Sequence, residues 1–107
     1  MTGMQVTEDT RGAWHLVAVA GRVDNNAAHE LKTVLSEAVA AHPQVAVDCS
    51  SIEYLSSAGL GALLEGAAAA QRAGQRFSIC APSPRVELLF KIAKLDTQLT
   101  IESTVPS

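Results

Sequence analysis

The sequence predicts an α/β domain: a mixed, mostly parallel sheet of about five strands carrying about three helices, in the order β-β-α-β-α-β-α-β. Three observations predict it. Segments with apolar residues spaced three and four apart alternate with short apolar runs, as β-α-β units require. The run Val45-Ala46-Val47 is continuous rather than alternating, which marks an interior parallel strand. Two alternating segments separated only by a turn open the chain, so the first pair is a hairpin and the sheet is mixed.

Each element has its own signal. Residues 4–10 alternate weakly, Met4 and Val6 against Gln5 and Thr7, and read as a short edge strand closed by the turn Thr10-Arg11-Gly12. Residues 13–20 alternate with Trp14, Leu16 and Ala18 on one face and His15, Val17 and Val19 on the other. Both faces are largely apolar, so this strand is expected to be covered on both sides. Gly21-Arg22-Val23-Asp24 ends it, and Asn25 or Asn26 is the expected N-cap of the first helix. That helix buries Leu31, Val34, Leu35, Ala38 and Val39 and stops at Pro43. Residues 44–49 form the next strand, and residues 48–57 read as a polar connection. A second helix starts near Ala58 with Leu60, Leu63, Leu64, Ala67 and Ala68 inward. Gly61, Ala62, Glu65, Gly66 and Ala69 lie on its bare outer face, and Gly74 is its C′ residue. Residues 76–81 alternate as a strand, and Ser83-Pro84 caps a third helix carrying Val86, Leu89, Phe90 and Ile92-Ala93. Leu99, Ile101 and Val105 read as a final strand.

Composition excludes several function classes. The 107 residues suit one domain, spanning 1–107, with 48% apolar and 18% charged residues and a net charge of −3. No apolar run reaches the roughly 18 to 20 residues of a membrane span, so no membrane insertion is expected. The eight Lys and Arg residues are scattered and the aromatics are one Trp, one Tyr and two Phe. Neither a phosphate-binding stripe nor a base-stacking platform is present, so no direct nucleic-acid contact is expected. His15, His29 and His42 fall in different elements and form no metal-ligand spacing with Cys49 and Cys80, so no metal is expected. No Gly-rich loop of P-loop spacing occurs, and no cofactor is expected. Two cysteines without a signal peptide read as reduced thiols of a cytoplasmic protein.

The most informative stretch is Ser56-Ser57-Ala58-Gly59-Leu60-Gly61, which follows a buried strand and opens a helix. Ser57 falls at or beside the N-cap, where amides are unpaired and the helix end is partly positive. Gly59 and Gly61 let another surface approach the backbone. A kinase can reach a hydroxyl so placed, and a phosphate there adds about −1.5 to −2 charges. A serine that merely caps its helix explains the same spacing. Asp24 and Asp48 are read as ending neighbouring parallel strands, at the carboxyl edge where open α/β sheets place sites. Local capping is the expected role of Asp48, and Asp24 is a candidate for the edge of the site together with Asn25.

The sequence resembles the STAS-domain family, the anti-sigma factor antagonists of bacterial partner-switching systems. Gly21-Arg22-Val23-Asp24 looks like the family's Gly-x-(Ile/Leu/Val)-Asp strand end, and Val47-Asp48-Cys49-Ser50 is similar to its Asp-x-Ser strand end. Ser56-Ser57-Ala58-Gly59-Leu60-Gly61 resembles its Asp-Ser-Ser/Thr-Gly-Leu-Gly signature. Arg85-Val86-Glu87-Leu88-Leu89-Phe90 with Leu95 resembles its third helix. The resemblance runs over nearly the whole chain and implies a STAS-like fold. It also implies that Ser57 is the acceptor of a phosphate from an anti-sigma factor that is itself a serine kinase of GHKL type. The unphosphorylated form binds that kinase, the phosphorylated form lets go, and a phosphoserine phosphatase resets the switch. Two positions depart from the signature. Ser56 stands where the family has Asp, and Ala58 replaces the second Ser/Thr, leaving Ser56 as the alternative acceptor. Asp24, Asn25, Ser56, Ala58, Gly59, Gly61, Ala62 and Glu65 are the expected partner-binding residues.

Other readings remain open at this point. STAS domains also resemble small subunits of lipid-transport ABC systems and modules of other signalling assemblies. A small serine hydrolase is a remote third reading, since Ser57 with a His and an Asp supplies a triad by residue type but no Gly-x-Ser-x-Gly elbow is present. The expected role is a binding switch, not an enzyme.

Overall fold

Two alternating segments face each other across a two-residue turn at the start of the chain, and they pair as expected. In the computed structural model, which describes residues 3–95 and 99–106, β1 (Met4–Arg11) runs antiparallel to β2 (Trp14–Val23), with Arg11 opposite Trp14. Gly12 takes the left-handed conformation that the turn demands. After β2 come α1 (Asn25–Ala41), β3 (Gln44–Leu55), α2 (Ser57–Arg72), β4 (Arg76–Cys80), α3 (Pro84–Ile92) and β5 (Ile101–Glu102). The sheet order is β1-β2-β3-β4-β5, and every pair after the first is parallel. The fold class and element order match the sequence reading, although β5 shrinks to two residues. Leu99 is buried ahead of it, and Val105 lies beyond it rather than in it.

β3 departs most from expectation. The polar residues 50–55 do not leave the sheet but continue the strand, pairing Ser51 with Ala20, Ile52 with Gly21 and Leu55 with Val23. Two register shifts break the alternation, between Ala18 and Ala20 and between Gly21 and Arg22 on the β2 side. Bulges of this kind hide the period of two that a sequence reading depends on. Gly21 sits in the bulged region with φ +88°, and a Cβ there would run into the Gly3 carbonyl. The same extension places Asp48 in mid-strand, opposite Ala18 and Cys80, instead of at the sheet's edge.

The helices pack on one face. Val17, Val19, Val45, Val47, Cys49, Phe77 and Ile79 form a single core with Leu31 and Leu35 of α1, Leu63 of α2 and Val86 and Phe90 of α3. The cover expected on both sides of β2 is therefore unequal. Among the described residues, the opposite face carries a small cluster of Leu16, Ala46 and Cys80, with Trp14 and Val105 against it. On α2 the buried residues are Gly59, Ala62, Leu63, Gly66 and Ala70, while Leu60, Leu64 and Ala67 flank them half-buried. This corrects the expected outer face. Gly66 lies against the Phe77 ring, where a Cβ would stand 3.0 Å from two ring carbons. Small residues share this face with Leu63 because they let the helix axis come close. On α3, Ile92 is 69% exposed, contrary to the core position read from its spacing.

Candidate functional site

β2 and β3 are parallel neighbours, so the helices that follow them start side by side at the same edge. The two starts are tied together: the Ser56 amide donates to the Val23 carbonyl at 2.9 Å. Each helix is capped by the last residue before it. Asp24, and neither Asn25 nor Asn26, is the N-cap of α1, its carboxylate accepting from the Ala27 amide at 2.9 Å. Ser56 is the N-cap of α2, its Oγ accepting from the Gly59 amide at 3.1 Å. Both serve the N-terminal amides that an α-helix cannot satisfy internally.

This arrangement separates the two serines. Ser56 is buried, and its hydroxyl is committed to the cap. That the signature carboxylate is replaced by Ser56 leaves the capping function intact, because a hydroxyl accepts from the same amide. Ser57 is the first residue of α2 and is exposed. Its own amide and that of Ala58 have no intrahelical acceptor at this end. Of the two serines, Ser57 therefore presents the accessible hydroxyl, on a helix terminus with partial positive charge.

Beside it runs a shallow groove between α1 and α2. Asn25, Ala28, His29 and Lys32 line it from α1, and Ala58, Gly61, Ala62 and Glu65 from α2. Lys32 and Glu65 bridge it with an ion pair of 2.9 Å between exposed side chains. Of the expected partner-binding residues, Asn25, Ala58, Gly61 and Glu65 border this groove from the solvent side. Ala62 is its floor and is only 4% exposed, which corrects its assignment to an open surface. Gly59 is corrected too. It is buried, with Leu55 Cδ1 2.7 Å and Val23 Cγ1 2.8 Å from where its Cβ would be. Its missing side chain serves the contact of α2 with the two strand ends. Gly61 has open space above it. Ala28, His29 and Lys32 escaped the sequence reading. Their spacing marks a stripe on α1, but only the parallel placement of the two helices turns that stripe into one wall of a groove.

Other candidates fall away from the edge. The Asp48 carboxylate accepts from the Ser50 amide at 3.0 Å, the local capping role expected of it, and takes no part in the groove. His15 and His42 stack with ring centroids 3.8 Å apart, and His15 Nε2 lies 2.6 Å from a Glu8 carboxylate oxygen. His42 caps the end of α1 just before β3 begins, whereas Ser57 follows the far end of that strand. Among the described residues no histidine hydrogen-bonds Ser57, so the triad that residue types allowed is not assembled. No group of three or more His, Cys, Asp or Glu able to hold a metal occurs among the described residues, and no helix among them is long and apolar enough to cross a membrane.

A family model described as "Mlab, STAS domain" matches residues 6–102. The chain belongs to the STAS-domain family. Solved structures share its fold. An anti-sigma factor antagonist from Mycobacterium paratuberculosis aligns with a TM-score of 0.82 at 24% identity, covering 95% of this chain and 87% of that one. SpoIIAA in its unphosphorylated form aligns with a TM-score of 0.74 at 20% identity, covering 92% and 86%. The phosphorylated form of the same Bacillus cell fate determinant aligns with a TM-score of 0.70 at 19% identity, covering 92% and 89%. These identities speak for the fold of the STAS domain.

Proposed function

We propose that this STAS domain is an anti-sigma factor antagonist whose binding to an anti-sigma factor serine kinase is switched by phosphorylation of Ser57. The observation that carries the reading is the division of labour between the two serines. Ser56 is buried in its cap, and Ser57 stands exposed one residue later beside an open groove. The fold matches support the reading, because SpoIIAA has been solved both with and without phosphate.

The chemistry follows from that placement. A hydroxyl on the exposed first residue of a helix accepts a phosphoryl group without unfolding the helix it opens. The dianion then lies where helix amides and the helix dipole offset part of its charge. A protein seated over the groove faces that charge with its own desolvated surface. An unpaired charge in such a contact costs about 3–5 kcal/mol, and each 1.4 kcal/mol is about tenfold in affinity. Release by about a hundredfold or more is the expected consequence, with a phosphatase restoring the binding form. The protein itself acts by binding and carries out no reaction.

The test uses the cognate kinase, isolated by co-purification, with ATP. Intact-mass measurement should show the gain of one phosphate. Ser57→Ala should take none and stay bound, and Ser57→Asp should bind weakly. If Ser57→Ala is phosphorylated as well as the parent, the acceptor is wrong. Co-purification with a transporter ATPase and no kinase would replace the switch with the transport-subunit reading.

A further inference from the structure

The outer side of α3 carries the two most exposed large apolar side chains among the described residues. Leu88 is 57% exposed and Ile92 69%. Four residues apart on a helix, they lie one above the other and form a ridge, pointing away from the buried Val86 and Phe90. One flank of the ridge carries Glu87 and Lys91, both exposed and joined by a loose contact of 3.9 Å.

We propose that this ridge pairs with the same ridge of a second copy of the chain, the two α3 helices lying antiparallel across a twofold axis. In a twofold contact, residue i of one copy meets residue j of the other, and the reverse holds as well. Leu88 of each copy then packs beside Ile92 of the second copy. Antiparallel pairing also brings like flanks together, so each Glu87 meets the Lys91 of the second copy. The loose contact within each helix, two in all, is exchanged for two contacts between helices, and the flank is complementary to itself. An anionic bilayer lacks this match, because Glu87 is repelled where Lys91 is attracted. A helix of nine residues buries less than the roughly 800 Å² per partner of a standard interface, so the dimer is weak and concentration-dependent. The inference does not depend on the role of Ser57.

Sedimentation equilibrium of the purified full chain, from about 10 µM to about 1 mM, spans the affinities expected of so small a contact. The mean mass should rise from monomer toward dimer across that range. Ile92→Glu places carboxylates in the ridge and should weaken the dimer by about tenfold or more. Its circular dichroism and unfolding midpoint should stay those of the parent, since the side chain is exposed. Glu87→Lys and Lys91→Glu should each weaken the dimer alone, and an equimolar mixture of the two should restore it by setting a basic flank against an acidic one. A monomer mass at every concentration overturns the proposal. So does a dimer that Ile92→Glu leaves intact, or a pair of charge variants whose mixing restores nothing.

Discussion

Gly59 and Gly61 stand two residues apart in one signature, yet the structure gives them opposite work. Gly59 is wedged against Val23 and Leu55, while Gly61 faces open space. Alanine at either position gains about 1 kcal/mol of helix propensity over glycine. At Gly59 that gain is outweighed by the collision with a stiff β-branched side chain, and Gly59→Ala should lower stability by about 1–3 kcal/mol. Gly61→Ala should leave stability equal or raise it by up to about 1 kcal/mol. Urea unfolding midpoints of the two variants check both signs, and a destabilising Gly61→Ala would contradict the open groove. The two serines show the same contrast. Residue type and order placed a hydroxyl at the start of α2, but which of the two is buried depends on the Val23 carbonyl that anchors the Ser56 amide. That carbonyl lies 33 residues earlier in the chain and is invisible to local spacing.

At the scale of elements, helix identity was legible because an amphipathic period survives in any surroundings. Pro43, Gly74 and Ser83-Pro84 marked boundaries by backbone chemistry that is local to each position. Gly74 does take the left-handed conformation after α2. Ser83 caps α3 by position only, and its hydroxyl donates to the Ile52 carbonyl at 3.0 Å, tying α3 to β3. The second half of β3 was illegible, because bulges scramble its alternation. In the first half of β3, Asp48 pairs with Cys80, which belongs to the small cluster on the helix-free face. Burial, then the charges of Asp48 and Glu102, push its thiol from about 9 up to about 11. Burial pushes the Cys49 thiol up as well, with smaller contributions from Asp48 and Cys80. Below pH 9 the thiol is protonated in both folded and unfolded chains, and the stability is fully present. As pH rises from about 9 toward about 11 the unfolded chain ionises first, and stability is lost. Urea unfolding across that window should show the loss, and Cys80→Ala should reduce it while leaving the share that Cys49 contributes.

At the scale of the whole molecule, one core gathers β1 to β4 and all three helices. The chain is therefore expected to unfold in one cooperative transition, with an enthalpy of about 60–80 kcal/mol near its midpoint, as a domain of about 100 residues does. Calorimetric and van't Hoff enthalpies that disagree would show two units instead. The placement of the groove is also a property of the whole. It exists because β2 and β3 are parallel neighbours, so that α1 and α2 begin at the same edge with Asp24 and Ser56 side by side in the chain's path. The sequence by itself determined the element order, the family and the presence of a hydroxyl at the entrance to α2, because hydrophobic period, breaker residues and caps act over a few residues. Only the tertiary structure decided which small residues of α2 are buried, that residues 50–55 stay in the sheet, and that α1 supplies half of the groove. Those outcomes depend on close approach between segments tens of residues apart, and no local pattern records it.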